Sequence, residues 1–134
     1  MSSRTNVLGV DPGRLKTGVA IINRDGDILW HAIVAPDSLE SRLPELLRQW
    51  QIAVVALGDS TASDAARAQI ERALADTNIE LRIVDESGST LEARPLYWAD
   101  NPRTGWRALV PLSLQEPPEP IDDYAAVVVA RRSF

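Results

Sequence analysis

The chain has 134 residues, of which 45% are hydrophobic and 25% charged, the proportions of one globular domain whose core needs neither disulfides nor a structural metal. It contains no cysteine, which excludes thiolate metal centres, thiol nucleophiles and a disulfide framework, and fits a reducing, cytoplasmic setting. A net charge of −5 argues against coating nucleic acid through a general positive field, but leaves room for a local basic rim.

No apolar run approaches the ~18–20 residues of a membrane span, and the opening residues lack the apolar stretch of a secretory signal. The expectation is a single domain over residues 1–134 with no membrane partner.

Val7 to Asp11 is a short apolar run closed by a carboxylate and then Pro12-Gly13, a buried strand ending in a turn. Thr17 to Asn23 is a second strand. The Asp25-Gly26 turn separates it from Ile28 to Val34, so these two runs should form an antiparallel hairpin. Leu39, Leu43, Leu46, Leu47 and Trp50 mark one helical face, with the regular helix beginning near Pro44 because proline suits the first helical turn.

Ile52 to Gly58 is almost continuously apolar, as expected of a parallel strand covered on both faces. A helix follows, with Thr61 and Asp64 as a loose N-cap signal and Ala66, Ile70, Ala73 and Leu74 facing inward. Glu80 to Asp85 is a fifth strand. Ser89 with Glu92 reads as a capping box for a helix that Pro95 and Pro102 cut short or kink. Glu116 to Pro120 is an extended connector, and Ile121 to Tyr124 opens a last helix reaching Arg132.

Three strands in a meander, then two parallel strands alternating with helices, make an α/β mixed five-stranded sheet flanked by helices, the element order of a ribonuclease H-like fold. Fold alone does not give function. The acids do more. Asp11 ends the first strand, Asp85-Glu86 the fifth, and Asp122-Asp123 begin the last helix. In such sheets ligands bind beyond the carboxyl ends of the parallel strands, where three separated acids could meet. Ionised carboxylates tolerate one another there only around a cation, and hard oxygen ligands select Mg²⁺ or Mn²⁺. Two such ions roughly 3.5–4 Å apart can activate water and stabilise a leaving oxygen in phosphoryl chemistry. Taken singly, each acid has a plainer role: Asp11 in a turn, Asp122 and Asp123 as helix caps, Glu86 as a solvated side chain.

The stretch Val7-Leu8-Gly9-Val10-Asp11-Pro12-Gly13-Arg14-Leu15-Lys16-Thr17-Gly18-Val19-Ala20 resembles the opening strand and loop of the RuvC/YqgF (RuvX) nucleases. Val84-Asp85-Glu86 with Ser89-Thr90 resembles that family's second motif, and Ile121 to Val127 its third. The resemblance implies a ribonuclease H-like fold and a metal-dependent endonuclease acting on Holliday junction-type branched DNA or on the precursor of small-subunit ribosomal RNA. Its acids carry onto Asp11, Glu86 and Asp122, with Asp123 on a variable position. Two departures stand out: Gly58 runs into Asp59-Ser60-Thr61, offering Asp59 as an extra ligand, and the motif arginine is Ser87.

Gly13 and Gly18 flank Arg14-Leu15-Lys16, so this backbone could approach a phosphate while two cations reach it; a simple tight connection explains the glycines equally well. Tyr97, Trp98 and Trp106 interleave with Arg94, Arg103 and Arg107, which could stack bases and hold phosphates, although packing of an irregular segment is the preferred reading. His31, the only histidine, reads as structural. The competing functional reading is a nucleic-acid- or protein-binding relative that keeps the fold without turnover. A homodimer is left open.

Overall fold

In the computed structural model, residues 5–101 and 120–134 are described. Arg103, Arg107, Trp106, Pro102 and nearly all of the proline-rich connector fall outside these residues. The strands β1 (Asn6–Asp11), β2 (Thr17–Ile22) and β3 (Ile28–Val34) form the expected meander, and β4 (Ile52–Gly58) and β5 (Glu80–Val84) add in parallel to give the order β3-β2-β1-β4-β5. This is the ribonuclease H-like sheet. It places the end of β1 in the middle, with Asp11 paired to Gly18 on one side and β4 on the other.

Alternation along the strands divides the core. Leu8, Val10, Val19, Ile21, Val55 and Leu57 face α1 (Leu39–Gln49) and α2 (Ser63–Leu74), whereas Val7, Ala20, Ile22 and Ala56 face α4 (Asp122–Arg132). The helix α3 (Ser89–Asp100) packs outside α4 through Ala93, Tyr97 and Trp98 against Tyr124, Ala125 and Val128. Covered by the sheet below and by α3 above, α4 is buried at every residue from Asp123 to Ala130. This explains why its small apolar residues form no single stripe. Among the described residues no helix is long and apolar enough to cross a membrane.

Four local expectations are corrected. Helix α1 starts at Leu39 with Pro44 inside it, not at Pro44. Starting early buries Leu39 and Leu43 beside Leu46 and Leu47, and two leucines at about 1.5–3 kcal/mol each outweigh the roughly 3 kcal/mol of an internal proline. Helix α3 likewise continues through Pro95 to Asp100. The proline deprives the Leu91 carbonyl of its helical donor, at a residue 66% exposed, where water can take the bond. The capping box at Ser89 is not made: Gly88, at φ 75°, is the N-cap, and Ser89 is buried. Nor do Thr61 and Asp64 cap α2, whose N-cap is Ala62 with no side-chain bond.

Candidate active site

The parallel register that sets β4 between β1 and β5 brings the ends of all three to one edge, where the chain leaves each strand in a loop. Asp11 ends β1, and Glu86 follows β5 by two residues. Their carboxyl groups lie close enough to act on one another. Burial first, then the interaction with the Glu86 carboxyl and its charge, then the charge of Asp122, push Asp11 up to about 8. Asp122, the first residue of α4, is close enough to contribute to that shift. Its own carboxyl is raised by burial and by Asp123, against the opposing pull of Lys16. The three acids singled out by the sequence therefore converge.

Glycines make this convergence geometrically possible. A Cβ at Gly58 would overlap Oε2 of Glu86, so the bare backbone at the end of β4 is what lets that carboxylate lie over the strand. At Gly18 a Cβ would overlap the Asp122 carbonyl, so the start of α4 rests directly on β2. Gly13 similarly faces the Lys16 carbonyl. The close approach expected of Gly13 and Gly18 is thus taken up by the protein's own backbone, not kept open for phosphate. Arg14 and Lys16 remain exposed on the loop between them.

Asp59 follows β4 on the same edge, and its Oδ1 accepts the backbone N–H of Glu86 at 3.2 Å. Ser60 donates to the Pro12 carbonyl at 3.0 Å. These bonds tie the three loops together under a cleft of about 460 Å³ lined by Asp11, Asp59, Ser60, Glu86, Ser87 and Leu91. Ser87, at the motif arginine's position, gives its backbone N–H to Asp85 at 2.9 Å, and the hydrogen bonds from Ser87 hold the exposed Asp85 carboxyl below its ordinary value. A second hollow, about 550 Å³, runs beside Arg82 and Arg132. Those arginines are already engaged, Arg82 with Glu80 and the Ser133 carbonyl and Arg132 with Glu92 and the Asp85 carbonyl.

As they stand, no three Asp, Glu or His side chains among the described residues are grouped closely enough to hold a metal ion. Their chemistry nevertheless fits a hard divalent cation. Every candidate donor is a carboxylate oxygen, and Oε2 of Glu86 is buried without a hydrogen-bond partner. The proton retained by Asp11 lowers the same repulsion that a cation would neutralise.

Two sequence readings are settled by packing. Tyr97 and Trp98 are buried between α3 and α4, so they offer no face for stacking bases. Asp123 is not merely a first-turn acid: it is buried, and its Oδ2 lies 2.6 Å from Nδ1 of His31. That pairing joins residues 92 positions apart. No local pattern announces it, and the only hint was that a lone histidine sat in a strand of the same sheet.

The curated proteins contain no match to this sequence. Among solved structures, Thermus thermophilus RuvC in complex with a Holliday junction substrate superposes with a TM-score of 0.64 at 16% identity, covering 93% of this chain and 90% of that one. The fowlpox virus Holliday junction resolvase gives 0.59 at 13% identity, covering 96% of each chain. The nuclease domain of the large terminase subunit of bacterial virus Sf6, with manganese, gives 0.50 at 13% identity over 63% of this chain and 39% of that one. These likenesses establish the ribonuclease H-like fold. The model of the Tex protein YqgF-like domain matches residues 5–95, and the chain belongs to that family.

Proposed function

We propose that this protein is a divalent-metal-dependent endonuclease that hydrolyses phosphodiester bonds in structured nucleic acid. The observation that carries the reading is the convergence of Asp11, Glu86 and Asp122 at one edge of the sheet, where burial first and then the neighbouring carboxyl groups push Asp11 up to about 8. A structural cap or solvated acid has no reason to accept that repulsion. Functional sites are where such shifts concentrate.

Asp11, Glu86 and Asp122 would hold Mg²⁺ or Mn²⁺, with Asp59 beside them. The bound cations would supply activation of water and stabilisation of the leaving oxygen. Around them the chain's own groups have distinct tasks. Asp59 holds the backbone at Glu86, and Ser60 holds the loop after Asp11. Arg14 and Lys16 stand exposed on the loop that leaves Asp11, Lys16 near enough to act on Asp122, and there they would meet the phosphates on either side of the scissile bond.

Branched DNA and precursor ribosomal RNA are the two substrate classes. Branched DNA has the support of two superposable proteins described as a resolvase or as bound to a Holliday junction. A cleavage panel decides, using a four-way junction, linear duplex, single-stranded DNA and precursor ribosomal RNA, each with magnesium, with manganese and with chelator. Metal-dependent cleavage of a branched or folded substrate, lost in Asp11→Asn, is the expected result. Tight binding without cleavage under any metal would instead favour a binding relative that has lost turnover.

A further inference from the structure

Helix α4 begins without a side-chain cap: Ile121 is its N-cap and makes no such bond. Its first turn is held differently. The buried carboxylate of Asp123 uses both oxygens, Oδ1 accepting the backbone N–H of Tyr124 at 3.1 Å and Oδ2 lying 2.6 Å from Nδ1 of His31 on β3. The first bond satisfies one of the donors that every helix leaves free at its start. The second ties that turn sideways to the sheet. The ring of Tyr124 lies against the His31 imidazole, centroids 4.9 Å apart, and its hydroxyl donates to Asp100 of α3 at 2.9 Å.

Consecutive residues on a helix point about 100° apart. With Asp123 turned toward β3 and the Asp122 carbonyl seated on Gly18 of β2, the Asp122 side chain is left facing the end of β1, where Asp11 senses its charge. Rotation of α4 by a fraction of a turn would carry Asp122 away from that edge.

We infer that His31 is a positioning residue for the acid cluster: its bond to Asp123 sets the rotation of α4 so that Asp122 faces Asp11. The inference rests on the metal-site reading above, in which Asp122 is a ligand. Groups that orient ligands are typically worth ten- to a hundredfold in metal affinity. His31 itself touches neither metal nor substrate in this role. It acts through Asp123, and any donor reaching the same oxygen would serve.

The test uses the full chain with two substitutions, His31→Leu, which keeps bulk and removes the donor, and His31→Asn, whose amide can donate as Nδ1 does. Two readouts are taken without substrate: manganese affinity, by electron paramagnetic resonance of the free ion, and amide hydrogen exchange of the metal-free protein. His31→Leu should bind manganese roughly ten- to a hundredfold more weakly. It should also exchange the amides of residues 122–125 about tenfold faster relative to those of β4. His31→Asn should restore both to within about threefold of the native protein, by the same estimate. Unchanged exchange at residues 122–125 in His31→Leu overturns the inference whether or not metal binds, as does unchanged manganese affinity alongside native binding. Native protein with no manganese site sensitive to Asp11→Asn defeats the metal reading instead, and the exchange arm still decides the clamp.

Discussion

The carbonyl of Asp122 occupies the space that a Cβ would need at Gly18. The contact sets the height of α4 above the sheet, and Gly18 is also the residue paired with Asp11 across the β1–β2 ladder. One missing side chain thus brings two of the acids into the same neighbourhood. In Gly18→Ala the methyl group meets backbone of Asp122 and Asp123, which cannot swing aside as a side chain would. Overpacking of this kind costs about 1–3 kcal/mol. In a domain of this size each kcal/mol lowers the thermal midpoint by about 4 °C. We expect a midpoint about 4–12 °C lower and manganese affinity reduced in proportion to the displacement of Asp122. A midpoint and affinity equal to the native protein's would show that α4 is free to lift.

The proton on Asp11 gives a pH signature. Its folded-state value, about 8, lies above the ordinary 3.8, so between those limits the native protein holds a proton that the unfolded chain has released. Stability then falls as pH rises. The contribution is complete below the unfolded value and is lost progressively up to about pH 8. Metal-free protein should therefore melt at lower temperature with each step from pH 5 to pH 8, and Asp11→Asn should flatten that part of the profile. Because the metal must displace the proton, manganese affinity should climb over the same interval with proton release. Calorimetric titration in two buffers of different ionisation enthalpy reads that release directly. A flat melting profile in chelator would show that Asp11 ionises normally.

How much of this was legible beforehand depended on whether the signal was local. The uninterrupted run from Ile52 to Gly58 marks a strand with both faces covered, and it lies between β1 and β5 in parallel. The Asp25-Gly26 turn marked the β2–β3 hairpin for an equally local reason. Asp11, Glu86 and Asp122 were visible because each ends or begins an element, and this topology sends those ends to one edge. The prolines misled because Pro44 and Pro95 sit in helices whose buried leucines, tyrosine and tryptophan outweigh a lost hydrogen bond. The pairing of His31 with Asp123 was illegible for a different reason. It needs both the strand order, which places β3 on that side, and the rotation of α4, and neither is encoded near either residue.

Arg14 and Lys16 are exposed on the loop that leaves Asp11, with Lys16 near enough to Asp122 to oppose the rise of its carboxyl. If they contact phosphates, each contributes to binding by releasing condensed counterions. Binding by the double variant Arg14→Ala/Lys16→Ala, measured in chelator to prevent cleavage, should weaken for all sequences alike. The slope of log affinity against log salt should shrink by about 1–2. A slope equal to that of the native protein would leave the loop as a connection between strands and nothing more.

Asp122 and Asp123 are adjacent acids with opposite surroundings, and exchanging each for asparagine should separate two kinds of loss. Asp122 lies beside Asp11 and Lys16, and its carboxyl is raised by burial and by its neighbour's charge. Removing its charge relieves repulsion, so Asp122→Asn should keep or slightly raise the metal-free midpoint. Losing a ligand outright, it should cut metal-dependent cleavage by more than the roughly hundredfold that loss of a supporting group costs. Asp123 instead accepts from Tyr124 and His31 with both oxygens. An asparagine amide can accept only at its oxygen, so one of those donors is left facing another donor. A hydrogen bond to a charged group is worth about 1.5–3 kcal/mol, so Asp123→Asn should lower the midpoint by about 6–12 °C. Its cleavage should fall less than that of Asp122→Asn. Melting curves in chelator and single-turnover cleavage in manganese, run on both variants, give four numbers. A stable Asp123→Asn that is dead beside an unstable Asp122→Asn that is active would mean that α4 is turned by one residue from the arrangement described.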